Sequence, residues 1–133
     1  MKCLFVKPPF AGYIVDEVKP IEYRTQRTHI RGRIGIIESG TGTVIGDAEL
    51  IGCLKDIKHD GIIDWVLKDA RRYMKPVPFK HKKGAMVWIN LDIDPAKQAI
   101  APELSVTQFQ EEFQVYWKEL EKFFTKRRKE RKA

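Results

Sequence analysis

The sequence predicts an α+β fold: a small mixed β-barrel of about five to six strands with a short first helix, a middle helix and a long C-terminal helix. Three observations lead there. Segments with period-two alternation recur up to Leu91, interrupted by stretches of helical spacing. Turns rich in glycine and proline separate them. The chain then ends in one long apolar stripe at helical spacing. At 133 residues it has the length of one domain, read here as a single unit over 1–133 with 126–133 as a basic tail.

Residues 3–7 form the first strand, closed by Pro8-Pro9. Pro9 suits the first turn of a short helix, where its missing N–H costs nothing. Phe10, Tyr13, Ile14 and Val18 recur at helical spacing, and Pro20 ends that helix and holds Lys19 extended. From there the period becomes two, with Ile21 and Tyr23 pointing one way and Glu22 and Arg24 the other, which places both polar side chains on the face opposite the core. Arg33–Glu38 and Thr43–Cys53 are two further strands, turned by Ser39-Gly40-Thr41-Gly42. His59-Asp60-Gly61 opens the middle helix, running to about Met74 with Ile63, Val66, Leu67 and Ala70 on one side. Lys75–Lys83, with Pro76 and Pro78, is a loop into a strand Ala85–Leu91. The C-terminal helix starts near Thr107, capped by Ser105 or Thr107, and its stripe is Phe109, Phe113, Tyr116, Trp117, Leu120 and Phe124.

A hydrophobic fraction of 43% belongs to a packed chain rather than a disordered one. The formal charge is +7, but Lys126–Lys132 alone holds six basic residues against one acid, so most of the excess sits in the tail. The body is basic only locally, in Lys19–Arg33 and in Arg71–Lys83, where Arg71, Arg72, Lys75, Lys80, Lys82 and Lys83 meet no acid. Folded together, the two segments make an electropositive face suited to nucleic acid; apart, they are routine surface patches. Cys3 and Cys53 lie in apolar, strand-like runs and fit reduced, buried thiols better than a disulfide. No apolar run approaches the ~20 residues of a membrane span. Met1–Lys7 is too soon charged for a signal peptide, so the expected location is the cytoplasm. His29, His59 and His81 lack metal-ligand spacing, and neither a metal nor a cofactor is expected.

The densest chemistry lies between Lys19 and Ser39, whose first fifteen residues set Lys19, Arg24, Arg27, Arg31 and Arg33 around a single carboxylate, Glu22. Guanidinium forks match phosphate oxygens, and a lone Glu can hold one fork in place. Pro9-Phe10 follows the first strand, and Lys19, Glu22 and Arg24 then fill the spacing Gly-x-Lys-x-x-Glu-x-Arg. Arg24-Thr25-x-Arg27-Thr28-x-x-Arg31-Gly32-Arg33-Ile34 continues the pattern, and Ser39 closes the third strand. On these residues the chain resembles the ASCH domain family, a branch of the PUA-like barrels associated with RNA, most closely over residues 2–53. One position departs: Glu17 stands where the motif has Gly, and adds a carboxylate near the proposed site.

The resemblance implies a PUA-like barrel with a cleft between the first helix and the second and third strands. Lys19, Glu22, Arg24 and Arg27 would line it, with Lys7, Arg33 and Ser39 near the rim and Phe10 and Tyr13 placed to stack on a base. The implied partner is RNA or a nucleotide-like ligand. Lys19, Glu22 and Ser39 are the candidate catalytic residues. Some ASCH proteins hydrolyse acylated cytidines with a Lys beside a Thr three residues on; here that position is Glu22, so binding ranks above hydrolysis. The alternatives are a hydrolase of the same lineage, acting on a modified nucleoside or as a ribonuclease, and a protein-interaction adaptor working through the aromatic C-terminal helix. Plainer roles stand beside these: Lys19 as a solvated helix-end cation, and Glu22 with Arg24 as a structural ion pair. Ser39-Gly40-Thr41-Gly42 lacks the ending of a phosphate loop and reads as a hairpin turn.

Overall fold

The computed structural model describes residues 1–132 apart from Met86, and of residues 127–132 the backbone only. The side chains of the basic tail beyond Lys126 therefore lie outside the described residues. Six strands, β1 (Lys2–Val6), β2 (Ile21–Arg24), β3 (Gly32–Glu38), β4 (Thr43–Lys55), β5 (Ile63–Pro78) and β6 (Trp88–Asn90), form one sheet. Its order is β2-β5-β4-β3-β1-β6. All neighbours are antiparallel except β1 and β3, which run parallel with Cys3 opposite Gly35 and Val6 opposite Glu38. The sheet is open rather than the expected closed barrel, since β2 and β6 stand at opposite ends of its order.

A second correction concerns the middle helix, which is the strand β5. The residues that point inward on it explain the misreading. Trp65, Leu67 and Ala70 join one core cluster and Tyr73 and Val77 another, at intervals of two, three, three and four residues. Register shifts against β4 between Asp47 and Glu49, and again between Val44 and Gly46, break the alternation into this helix-like rhythm. Asp69, at φ 49°, sits in the first of these irregular stretches. The expected loop at Lys75 begins only after Pro78, because β5 continues through both prolines, and the strand expected over Ala85–Leu91 shortens to Trp88–Asn90.

The first helix, α1 (Phe10–Val15), lies against β4, where Gly46 allows close approach. A Cβ there would meet Val15 Cγ1 at 2.6 Å and collide with the Arg71 carbonyl. The chain leaves α1 through a left-handed residue, Glu17 at φ 58°. The Glu17 N–H donates to the Ile14 carbonyl and the Val18 N–H to the Tyr13 carbonyl, at 3.0 and 2.9 Å. This is the Schellman arrangement of a helix end, and glycine is its usual left-handed residue. Val18 and Tyr13 share a buried cluster, as the motif favours.

The long helix α2 (Val106–Lys132) starts with a reciprocal cap: Ser105 Oγ accepts from Gln108 N at 3.1 Å, and Gln108 Oε1 accepts from Ser105 N at 3.0 Å. Tyr116, Leu120 and Phe124, spaced one turn apart, bury themselves against Tyr13, Val18 and Ile62. Nearer its start the helix leaves Val106, Phe109, Val115 and Trp117 exposed. Among the described residues no helix is long and apolar enough to cross a membrane, and no side-chain group is arranged to hold a metal.

Candidate ligand-binding cleft

The turn after α1 carries Lys19 inward rather than into solvent. Its backbone N–H donates to the Tyr13 carbonyl at 3.2 Å, and its side chain is 1% exposed. The ammonium lies 4.7 Å from the centre of the Phe10 ring and 3.0 Å from Glu22 Oε1. Burial pushes this lysine down from its ordinary pKa, and the Glu22 carboxylate restores part of the loss. Lys19 is thus neither a solvated helix-end cation nor a cleft-lining group: it stands behind Glu22.

Glu22 lies on β2 opposite Trp65 of β5. Its second oxygen accepts from Arg24 Nη2 at 3.1 Å, and the same nitrogen donates to the Phe5 carbonyl at 2.7 Å. One carboxylate is therefore held between two cations, and the face expected to lie opposite the core is itself covered, since Glu22 is buried across from the buried Trp65. The Arg24 guanidinium also rests 5.6 Å from the Trp65 ring centre, which fixes its plane. Its side chain stays 26% exposed, so part of the fork faces out.

That exposed part opens into a cleft of about 410 Å³. Glu22, Tyr23 and Arg24 of β2 line it together with Phe5, Val6, Lys7, Phe10 and Ser39. Phe123 and Lys126 of α2 complete the lining. Phe123 meets Phe10 edge-on at 6.5 Å, joining the two helices over the cleft. Of the residues singled out in the sequence, Lys7, Phe10, Glu22, Arg24 and Ser39 come together here, with Lys19 bonded behind them.

The others go elsewhere. Tyr13 is buried and packs edge-on against Tyr116 at 5.7 Å. Arg27 is exposed and donates to the Cys53 carbonyl at 2.9 Å, outside the cleft lining. Arg33 is drawn to Asp47, a fully buried carboxylate that also takes two bonds from Arg71 and one from the Tyr73 hydroxyl at 2.6 Å. A buried charge needs such partners, and this one claims two guanidiniums. Arg72 is bound to Asp16 in the same bidentate manner. Glu17 is exposed and faces the groove of Asp16 and Arg72, not the cleft.

Sequence reasoning missed the α2 wall. Phe123 falls just beside the apolar stripe, and nothing local to it announces a ligand site. It also missed a carboxyl pair near the end of β4, where Asp56 accepts from the N–H groups of Lys58 and His59 at 2.9 Å each. Burial, with Asp56 beside it, pushes the Asp64 carboxyl up to about 7. His59 bonds Asp56 at 3.0 Å and lies flat on Phe124, ring centres 3.6 Å apart.

The chain is thus an α+β protein with an open mixed sheet, whose second strand presents Glu22 and Arg24 to the cleft with Lys19 bonded behind them. The ASCH domain model matches residues 4–124, and the chain belongs to that family. Its structure is similar to the crystal structure of ASCH from Zymomonas mobilis, with a TM-score of 0.50 and 18% identity over 82% of this chain and 90% of that one. A tyrosine-to-phenylalanine mutant of the same Zymomonas mobilis protein matches with a TM-score of 0.47 and 17% identity, covering 83% and 94% of the two chains. A comparison with curated proteins returned no match.

Proposed function

We propose that the cleft binds RNA or a nucleotide-like ligand, with an unstacked base entering between the aromatic walls and phosphate meeting the cations at its edge. The observation that supports this best is Arg24. Its guanidinium is held in one orientation by the Phe5 carbonyl and Glu22, yet remains partly open to the cleft. Fixing the fork in advance removes the ordering cost that a free arginine would meet on binding. Lys19, Glu22 and Arg24 together carry one net positive charge, which suits a phosphate or the oxygen edge of a base. Phe10, Tyr23 and Phe123 offer rings of the kind on which bases stack.

Arg24→Ala removes a charge-assisted contact. It should weaken binding of a single-stranded RNA and of uridine 5′-monophosphate by about 1.5–3 kcal/mol, roughly tenfold to a hundredfold. Calorimetry beside a thermal melt reads this directly. Unchanged affinity in a folded variant would remove the cleft from the function.

A second reading keeps the same residues and makes them hydrolytic. Its support is the lowered pKa of Lys19, since a lysine that sheds its proton more easily serves better as a base or nucleophile. Against it, the ammonium is enclosed by Glu22 and Phe10. Turnover of an acylated nucleoside or RNA, lost in Lys19→Arg, would favour this reading over pure binding. The adaptor alternative draws on the exposed Val106, Phe109, Val115 and Trp117 of α2, which lie outside the cleft.

A further inference from the structure

The second basic segment divides in two when folded. Arg71 and Arg72 are paired with Asp47 and Asp16, but Lys80, Lys82 and Lys83 are exposed, and among the described residues none of the three forms an ion pair. They sit on the loop 79–85, which does not hang free. His81 stacks on Phe5 with ring centres 5.0 Å apart, and Phe79 meets the same ring edge-on at 6.0 Å. Phe79 N donates to the Gly42 carbonyl at 3.1 Å, His81 Nε2 bonds the Ala85 carbonyl at 2.8 Å, and Ala85 N donates to the Lys82 carbonyl at 3.1 Å. Phe5 is the same residue that lines the cleft and whose carbonyl fixes Arg24. Phe5 thus holds the loop with its ring and Arg24 of the cleft with its backbone carbonyl.

We infer that the loop 79–85, clasped onto Phe5, is a phosphate-contact site continuous with the cleft, so that the ligand is a single-stranded polynucleotide whose chain runs on past the nucleotide held inside. This rests on the nucleotide reading of the cleft. Lys7 and Lys126 stand at the cleft itself and suffice for the phosphate of one bound nucleotide. The three loop lysines lie outside the cleft lining, and only a ligand with further phosphates gains by reaching them. Three like charges within four residues of one loop, with no ion pair among the described residues, repel one another, and a phosphodiester backbone relieves that repulsion. The loop therefore separates polymer from monomer, while Arg24 serves both.

The experiment compares the parent protein with the triple variant Lys80→Ala, Lys82→Ala, Lys83→Ala. The probes are a fluorescein-labelled oligouridylate of about twelve nucleotides, within the site sizes of single-strand binders, and uridine 5′-monophosphate. The triple variant should bind the oligomer about tenfold or more weakly at low salt, and its plot of log affinity against log salt should flatten by about two units of slope. Uridine 5′-monophosphate should bind both proteins within about twofold of each other. A control variant, Lys55→Ala, Lys68→Ala, Lys97→Ala, removes the same charge from exposed positions elsewhere and should leave oligomer binding near the parent value. Equal losses in the control and loop variants would reduce the effect to net charge and overturn the inference. An unchanged oligomer affinity or slope in the loop variant would overturn it too, even with the Arg24→Ala loss intact. If the parent bound neither probe, the cleft reading itself would fall first.

Discussion

Glu17 is the residue at which the family motif and this chain part, and the structure shows what the position demands. It is the left-handed residue of the turn that ends α1, at φ 58°, and its side chain is exposed on the face away from the cleft. An L-residue there costs about 1–2 kcal/mol in backbone strain, and glycine recovers that at an entropic cost of about 0.5–1 kcal/mol. Glu17→Gly should therefore stabilise the protein by about 0.5–1 kcal/mol and raise Tm by a few degrees, leaving RNA affinity unchanged. Denaturant titration and the binding assay check the two halves separately. A loss of affinity would mean that the turn, by moving Lys19, shapes the cleft after all. The sequence motif made Lys19, Glu22 and Arg24 legible as a group, because their spacing sets two of them on one strand face. It could not disclose that Lys19 is enclosed, since that depends on Phe10 folding over it from another element.

At the scale of elements, β2 was readable and β5 was not, for one physical reason. A short strand without bulges shows its alternation directly, while β5 changes phase at each register shift. Its inward residues then imitate a helix, and pairing with β2 and β4 overrides the local signal. The α1–β4 contact carries the sharpest packing constraint. Gly46→Ala places a methyl group against Val15 and the Arg71 carbonyl, one a side chain and the other backbone that cannot turn aside. The expected cost is about 1–3 kcal/mol, measured by chemical denaturation. Substitution at Gly52, where the space around an added Cβ is empty, should be milder and serves as the comparison. Equal effects at both sites would show that strand propensity, not the approach of α1, sets the cost.

For the molecule as a whole, stability should carry a pH signature from the carboxyl pair beneath α2. Asp64 titrates higher in the folded protein, near 7, than the 3.8 of an ordinary Asp. Between those values the folded state holds the extra proton, so this group's contribution to stability falls as pH rises through that window. Asp64→Asn abolishes the titration and should raise Tm more at about pH 8 than at about pH 5, read by scanning calorimetry. An equal shift at both would mean that Asp64 ionises freely. The order of the strands and the α2 wall of the cleft were beyond sequence reading, because both depend on contacts between distant segments. That wall has a consequence for how the protein comes into being. Phe10 and Phe123 meet across nearly the whole chain. Synthesis delivers the β2 side of the cleft early and the α2 side later, and folding must close the long loop between Phe10 and Phe123 before the site is complete. A nascent chain halted before Phe123 would display Arg24 and Glu22 without their enclosure, so on the proposed reading the cleft is complete only once translation has passed that residue.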